Sequence, residues 1–297
     1  MNNLTLRQFR YFDALARHRH FGRAAAACAI TQPALSVQIR EMEAALGTPL
    51  FDRTTRQVTL TGFGAEVAGR IGDILRSVEE LDDLARLARG RLVGRFRLGV
   101  IPTVAPYLLP ALIGRLTELH DGLDIRVRES LTRTLIAELT AGDLDAAIVA
   151  LPVSEPQLVE MPLIEEEFVL VRPLAEAALP VPDAQMLRQM KLLLLEEGHC
   201  FRDQALAFCE TGAAGARELL DASSLSTLVQ LVGAGIGVTL IPRMAVPVET
   251  GSAQVAIARF APPRPSRTIG MIWRRSTPLD AQLREIAEEV RAIGAGL

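Results

Sequence analysis

Apolar residues recur at three- and four-residue steps from the start of the chain: Leu6, Phe9, Phe12 and Leu15–Ala16. That spacing predicts an amphipathic helix. An alanine-rich stretch from Phe21 to Cys28 predicts a second, short helix. Thr31 and Gln32 precede Pro33, and proline fits the first helical turn, so a third helix is expected from about Pro33 to Ala45, stopped at Gly47. It turns Leu35, Ile39, Met42 and Leu46 inward and Ser36, Val37 and Arg40 outward. Between Pro49 and Thr61, Val58 and Leu60 alternate with polar residues, the pattern of a two-stranded ribbon. From Gly62 to Arg89 the positions Val67, Ile71, Ile74, Val78, Leu81, Ala85 and Ala88 step alternately by four and three, the seam of a coiled coil.

Past Gly90 and Gly94 the periodicity changes. Strand-like runs at Arg95–Ile101, Ile125–Glu129 and Ala146–Leu151 alternate with helical ones at Tyr107–His120 and Thr132–Ala141. This rhythm means a parallel sheet covered by helices. A second run of the same kind follows: Phe168–Arg172, Leu192–Glu196, a helix near 202–210, a helix at Leu225–Gly233, and Val238–Pro242. A strand at Ile269–Trp273 and a helix at Leu279–Ile293 close the chain. Two α/β lobes of this size leave a cleft at the carboxyl ends of their strands. The chain thus divides into a head (1–62), a linker and dimerisation helix (63–90) and a two-lobe α/β regulatory domain (91–297).

Composition sharpens this picture. The 297 residues are 49% hydrophobic and 23% charged, a globular balance with room for about two domains. No run of about 18 unbroken apolar residues spans a membrane, and the N-terminus carries no export signal. Three cysteines make no disulfide scaffold, so a reducing cytoplasm is expected. Residues 1–62 hold eight Arg and four acids, net +4, and the remainder holds 24 basic and 31 acidic residues, net −7. A basic head on an acidic body fits a nucleic-acid module, and favours a helix-turn-helix with a wing over a plain three-helix bundle. Gln32, Ser36 and Arg40 on the second helix of that motif, with Arg53 and Arg56 in the wing, are the candidate DNA contacts. All but one of the 32 basic residues are Arg, so no single Arg carries the argument. His-Cys zinc spacings and Cys-x-x-Cys are absent from the sequence, and the glycines of 233–237 follow a helix and precede a strand, the reverse of a dinucleotide loop. No metal or cofactor is expected.

The runs Phe21-Gly22-Arg23-Ala24-Ala25, Thr31-Gln32-Pro33-Ala34-Leu35-Ser36, Ile39-Arg40-Glu41-Met42-Glu43, Leu46-Gly47, Leu50-Phe51-Asp52-Arg53 and Leu60-Thr61 occur in that order. They resemble the winged helix-turn-helix of the LysR-type transcriptional regulators, and the likeness extends over the linker helix and the two-lobe domain. It implies a periplasmic-binding-protein-like regulatory domain and a dimer or tetramer on double-stranded promoter DNA, with RNA polymerase as a further contact. A narrower resemblance rests on Leu194 to Ala205, with His199-Cys200-Phe201-Arg202-Asp203 at its centre, and on Cys209. This segment is similar to that of the hydrogen-peroxide-sensing members of the family. The resemblance implies that Cys200 is oxidised, that it pairs with Cys209, and that DNA binding then switches. It also implies that Arg267 lowers the Cys200 pKa and that Thr103 and Thr132 position the peroxide.

The chemistry agrees with this assignment. A thiolate attacks peroxide and yields a sulfenic acid, and His199 and Arg202 are placed in sequence to supply positive charge or hydrogen-bond donors. Taken alone, two cysteines read as small buried hydrophobes; with His199, Arg202 and Asp203 beside them the redox reading prevails. Nine helical residues rise about 13.5 Å, whereas a disulfide needs Cα atoms within roughly 7 Å, so a helical segment must loosen before Cys200 and Cys209 bond. Thr103 and Thr132 read from sequence alone as helix caps, and Cys28 as core. Two other functions remain open: a regulator whose cleft binds a small metabolite, and a thiol peroxidase.

Overall fold

The computed structural model describes residues 4–53, 58–87, 94–208 and 220–296. The chain forms two compact units, 1–85 and 86–297.

The first unit contains α1 (Leu6–His18), α2 (Phe21–Ala27), α3 (Gln32–Leu46), β1 (Phe51–Arg53), β2 (Val58–Leu60) and α4 (Gly62–Leu87). Thr5 and Gln8 form a reciprocal capping box at the start of α1, satisfying amide groups that helix geometry leaves unpaired. His20 caps α2: its Nδ1 accepts from the Gly22 and Arg23 amides at 3.1 and 3.3 Å. Thr31 caps α3 with Pro33 in the first turn, and Gly47 ends it at φ +72°. Phe12, Leu15, Leu35, Ile39 and Met42 fill the core. Phe51 stacks on Phe12 with ring centroids 5.1 Å apart, which anchors the β1–β2 ribbon.

The apolar seam predicted along α4 is divided. Ile71 is buried in the head's own core, and Val67 and Leu75 pack against it. Ile74 and Leu81 are 40% and 64% exposed. The first turns of the helix therefore serve the head, and the free apolar face is shorter than the sequence implies. Ala88 and Arg89 lie outside the described residues.

The second unit runs β3 (Gly94–Val100), α5 (Ala105–Leu119), β4 (Leu123–Glu129), α6 (Thr132–Ala141), β5 (Ala146–Leu151), β6 (Leu158–Pro173), α7 (Ala184–Leu187), β7 (Leu192–Leu195), α8 (Cys200–Phe208), β8 (Leu220–Ala222), α9 (Leu225–Gly233), β9 (Val238–Pro242), α10 (Val246–Glu249), β10 (Val255–Arg259), β11 (Ser266–Arg274) and α11 (Asp280–Gly294). The strand order is β4-β3-β5-β11-β6-β9-β7-β8, with β10 also on β6. β3, β4 and β5 pair in parallel, as do β7, β8 and β9. β6 and β11 run antiparallel to their neighbours and join the two lobes.

The expected parallel sheet is therefore a mixed one. The predicted strand at Phe168–Arg172 is only the last part of a strand 16 residues long. Its earlier part was hidden because Glu165, Glu166 and Glu167 interrupt the apolar run; on β11 or just before it, Arg264, Ser266, Arg267 and Thr268 partner those acids. The pairing shifts register at Gly270, where a Cβ would lie 2.3 Å from Leu151 and 2.8 Å from the Met161 carbonyl. Only glycine fits there.

Candidate functional site

β7 ends at Leu195, and a short turn carries the chain through His199 to Cys200, the first residue of α8. The helix starts two residues earlier than its apolar pattern implies. Cys200 is half-buried, with its thiol free. It lines a tight hollow shared with Ile101, Thr103, Leu131, Thr132 and His199.

The two threonines do not cap their helices. Val104 and Leu131 occupy the cap positions of α5 and α6 and give no side-chain hydrogen bond. Thr103 is buried, and its Oγ1 accepts a 2.8 Å bond from Nη1 of Arg267. Having accepted from a cation, that hydroxyl has its own proton left to donate. The Thr132 hydroxyl is buried with no hydrogen-bond partner. A buried orphan hydroxyl is uncommon, and one lining a pocket beside a thiol points to a polar molecule that takes its bond.

Arg267 is held from behind. Glu166 on β6 accepts from its Nε at 2.8 Å, and the Thr103 carbonyl accepts from Nη2 at 3.1 Å. The other Glu166 oxygen takes the Met244 amide at 3.2 Å. Burial pushes the Glu166 carboxyl above its usual range, against the pull of the Arg267 guanidinium. The guanidinium also lies 5.3 Å from the ring centroid of Phe201, which packs edge-on against Phe168. Arg267 thus meets the Cys200 pocket through Thr103 and through the residue next to the cysteine. Nothing in the chain's pattern marked Glu166; a carboxylate in mid-strand was its only signal.

The other charged neighbours take different positions from those the sequence gives them. Arg202 is buried and donates from Nη1 to the Leu195 carbonyl and to Asp221 Oδ1, both at 2.6 Å. These bonds tie it to β7 and β8, where it braces the sheet edge. Burial pulls the His199 imidazole below its usual range, so near neutral pH it lines the pocket uncharged. Of the two roles expected of it, cation or donor, this leaves the hydrogen-bonding ring. Asp203 is exposed in the first turn of α8. Gln204, one turn beyond Cys200 and on the same helix face, has a buried side-chain oxygen without a partner; its ordinary polarity gave it no distinguishing mark in the sequence. Cys209 lies outside the described residues. Cys28 is half-buried against the head core, and burial raises its thiol pKa.

Beside this pocket a cleft of about 130 Å³ shares Thr103 and His199 with it. Across the cleft the Tyr107 hydroxyl donates to Glu249 at 2.7 Å, and Ser226 donates to the other carboxylate oxygen at 2.5 Å. Burial and that carboxylate push the Tyr107 pKa upward.

In the head, α3 carries the predicted contacts at unequal exposure. Gln32 and Arg40 are exposed, and Ser36 is half-buried. Val37 is 42% exposed. Arg53 is the last residue of β1, and Arg56 lies outside the described residues. Among the described residues no group of His, Cys, Asp and Glu has the arrangement of a metal site, and no helix is long and apolar enough to cross a membrane.

Residues 6–65 match the bacterial regulatory helix-turn-helix of the lysR family, and residues 89–294 match the LysR substrate binding domain. A probable hydrogen peroxide-inducible genes activator of Streptomyces viridosporus is 44% identical over 294 residues, covering 97% of this chain and 93% of that protein. The DNA-binding transcriptional dual regulator OxyR of Escherichia coli K12 is 39% identical over 293 residues, 97% and 95% of the two chains. Among solved structures, a cysteine-to-aspartate variant of full-length OxyR from Pseudomonas aeruginosa aligns with a TM-score of 0.78 at 33% identity, covering 97% and 95%. A cysteine-to-serine variant of Corynebacterium glutamicum OxyR, bound to H2O2, aligns at 0.66 and 33% identity, covering 98% and 95%. With the fold, the winged head and these likenesses together, the chain belongs to the LysR family of DNA-binding transcriptional regulators.

Proposed function

We propose that this regulator senses hydrogen peroxide through Cys200. The observation that carries the reading is the pairing of a free, half-buried thiol with two threonine hydroxyls, one fixed by Arg267 and the other without a partner. The Cys200 thiolate attacks one peroxide oxygen. The O–O bond breaks, the leaving oxygen departs as hydroxide and is protonated, and Cys200 becomes a sulfenic acid. Thr103 and Thr132 donate to the oxygens as charge moves onto the leaving one. The Cys209 thiolate then attacks the Cys200 sulfur and expels water after proton uptake, which closes the disulfide. Because Cys200–Phe208 is helical, with a rise of about 12 Å over eight residues, closure requires the helix to open, and DNA binding changes with it. A cellular dithiol resets the switch. The protein is a switch and not a turnover enzyme, and it acts in the cytoplasm.

In the head, Gln32, Ser36 and Arg40 read bases, while Arg53 and Arg56 hold phosphate; the resemblance and the net positive charge support this. Residues 1–62 form the DNA-binding domain, 63–90 the dimerisation helix and 91–297 the sensor, assembled as a dimer or tetramer that contacts RNA polymerase. The test is mass spectrometry after brief peroxide treatment. A peptide linking Cys200 to Cys209 and absent under reductant is expected, and Cys200→Ser abolishes it. If peroxide leaves both thiols free, or joins Cys28 to either, the mechanism falls. The cleft bounded by Tyr107 and Glu249 then becomes the sensor of a small metabolite.

A further inference from the structure

The solvent face of α3 carries a residue that the DNA contacts named so far do not use. At about 100° per residue, the buried positions Leu35, Ile39 and Met42 define one side of the helix, and Val37 falls almost opposite their centre. Arg40 lies one turn on from it, beside the same face. Val37 is 42% exposed and takes no part in the head's core. A β-branched side chain is stiff in a helix and is not favoured there by propensity. Neither packing nor helix stability therefore accounts for a valine at this point. Next to it is a hollow lined by Ile30 and Ala34 with Val37, and by Arg7 and Gln38 at its polar edge. Arg7 is held there by a 2.6 Å bond from its Nε to the Tyr11 hydroxyl. An apolar floor beside a cation suits a small apolar group carried next to an anionic backbone. In the major groove that group is the 5-methyl of thymine.

We propose that Val37 is a specificity-determining residue that reads a thymine through its 5-methyl group. This inference rests on α3 being the base-reading helix. Its isopropyl group covers the methyl, while Arg40 faces the neighbouring base pair. Substituting deoxyuridine for that thymine removes the methyl and keeps every hydrogen-bonding atom, so the loss isolates the apolar contact.

The experiment uses the full-length reduced protein and a duplex that it selects from a random pool. Each thymine is replaced in turn by deoxyuridine, and affinity is measured at one fixed salt concentration. One thymine per half-site is expected to show a loss of about fourfold, the worth of burying one methyl group. Val37→Ala binds the thymine duplex about fourfold or more weakly and is indifferent to deoxyuridine at that position. Because the side chain is exposed, its thermal midpoint stays at the wild-type value. The proposal is overturned if no thymine is sensitive in the wild type, or if Val37→Ala keeps the wild-type deoxyuridine profile. Gln32→Ala and Arg40→Ala separate the two levels. If both select the wild-type sequence, α3 is not the reading helix and the fault lies beneath the proposal; if they select altered sequences while Val37→Ala keeps the wild-type profile, the fault lies with Val37 alone.

Discussion

Replacing Thr132 with valine separates a hydroxyl kept for chemistry from one kept for structure. Thr132 Oγ1 is buried and unpartnered, and such a group costs a folded protein about 1–3 kcal/mol. Valine has nearly the same shape and no polar atom. The regulatory unit should therefore keep its stability or gain up to about 3 kcal/mol. Oxidation of Cys200 should nevertheless slow about 100-fold, the typical loss when one preorganised donor to a developing oxyanion is removed. Thr103→Val gives the contrasting pattern. It takes from Arg267 Nη1 an acceptor at 2.8 Å, and a hydrogen bond from a charged donor is worth about 1.5–3 kcal/mol, so stability and rate fall together. Urea unfolding is followed under reductant by the fluorescence of Trp273. It is the chain's one tryptophan and is fully buried in the regulatory unit, so the signal reports that unit alone. Oxidation is followed by stopped flow at limiting peroxide. If Thr132→Val lost more than about 1 kcal/mol of stability, the hydroxyl would have a structural partner; if it oxidised at the wild-type rate, peroxide would not react in this pocket.

Three further outcomes are expected. Arg202→Met should cost the regulatory unit about 2 kcal/mol, through the lost bonds to the Leu195 carbonyl and Asp221, while leaving the rate of Cys200 oxidation near wild type. A large rate loss with little destabilisation would restore Arg202 to the redox site. Ile74→Glu combined with Leu81→Glu should lower the sedimenting mass, because charge enters the exposed part of the seam; an unchanged mass would place the self-association surface elsewhere. Burial lowers the His199 pKa in the folded state, so the unfolded chain binds the proton more readily. The stability from neutral His199 is complete above the unfolded value of about 6.5 and is lost as pH falls below it. The midpoint reported by Trp273 should fall from pH 7.5 to pH 5.5 and fall less in His199→Gln; equal slopes would exclude His199 as the cause.

The elements readable in the sequence were those whose whole apolar pattern faces one core. Thr132–Ala141, Ala146–Leu151, Leu225–Gly233 and Val238–Pro242 match their periodicity end to end. β6 did not, since its acids pair with the next strand over and have no reason to alternate. β10 also escaped notice, because among the described residues it pairs with β6 alone and Ile257 faces outward at 38% exposure. The seam of α4 misled for a related reason. A four-three repeat reports that a face is buried, not which surface buries it, and here Ile71 belongs to the head.

The candidate site residues divide along the same line. Cys200, Thr103, Thr132 and Arg267 stand far apart in the chain, and only a family motif joined them before the fold did. Proximity in sequence, the one guide available for Arg202 and His199, brought His199 to the pocket but not Arg202. On α8, two positions past Cys200 means a turn of about 200°, so Arg202 points to the far side of the helix. There it meets Asp221 and the Leu195 carbonyl. Glu166 is the converse case. It is remote from Cys200 in sequence and part of no motif, yet β6 pairs with β11 so that Glu166 stands directly opposite Arg267 in the register. Strand pairing brings the carboxylate to the guanidinium, and the guanidinium holds the Thr103 hydroxyl at the edge of the pocket. Both members of the buried ion pair lie on the strands that join the lobes. The Cys200 pocket is therefore held by the same backbone that sets how the two lobes meet.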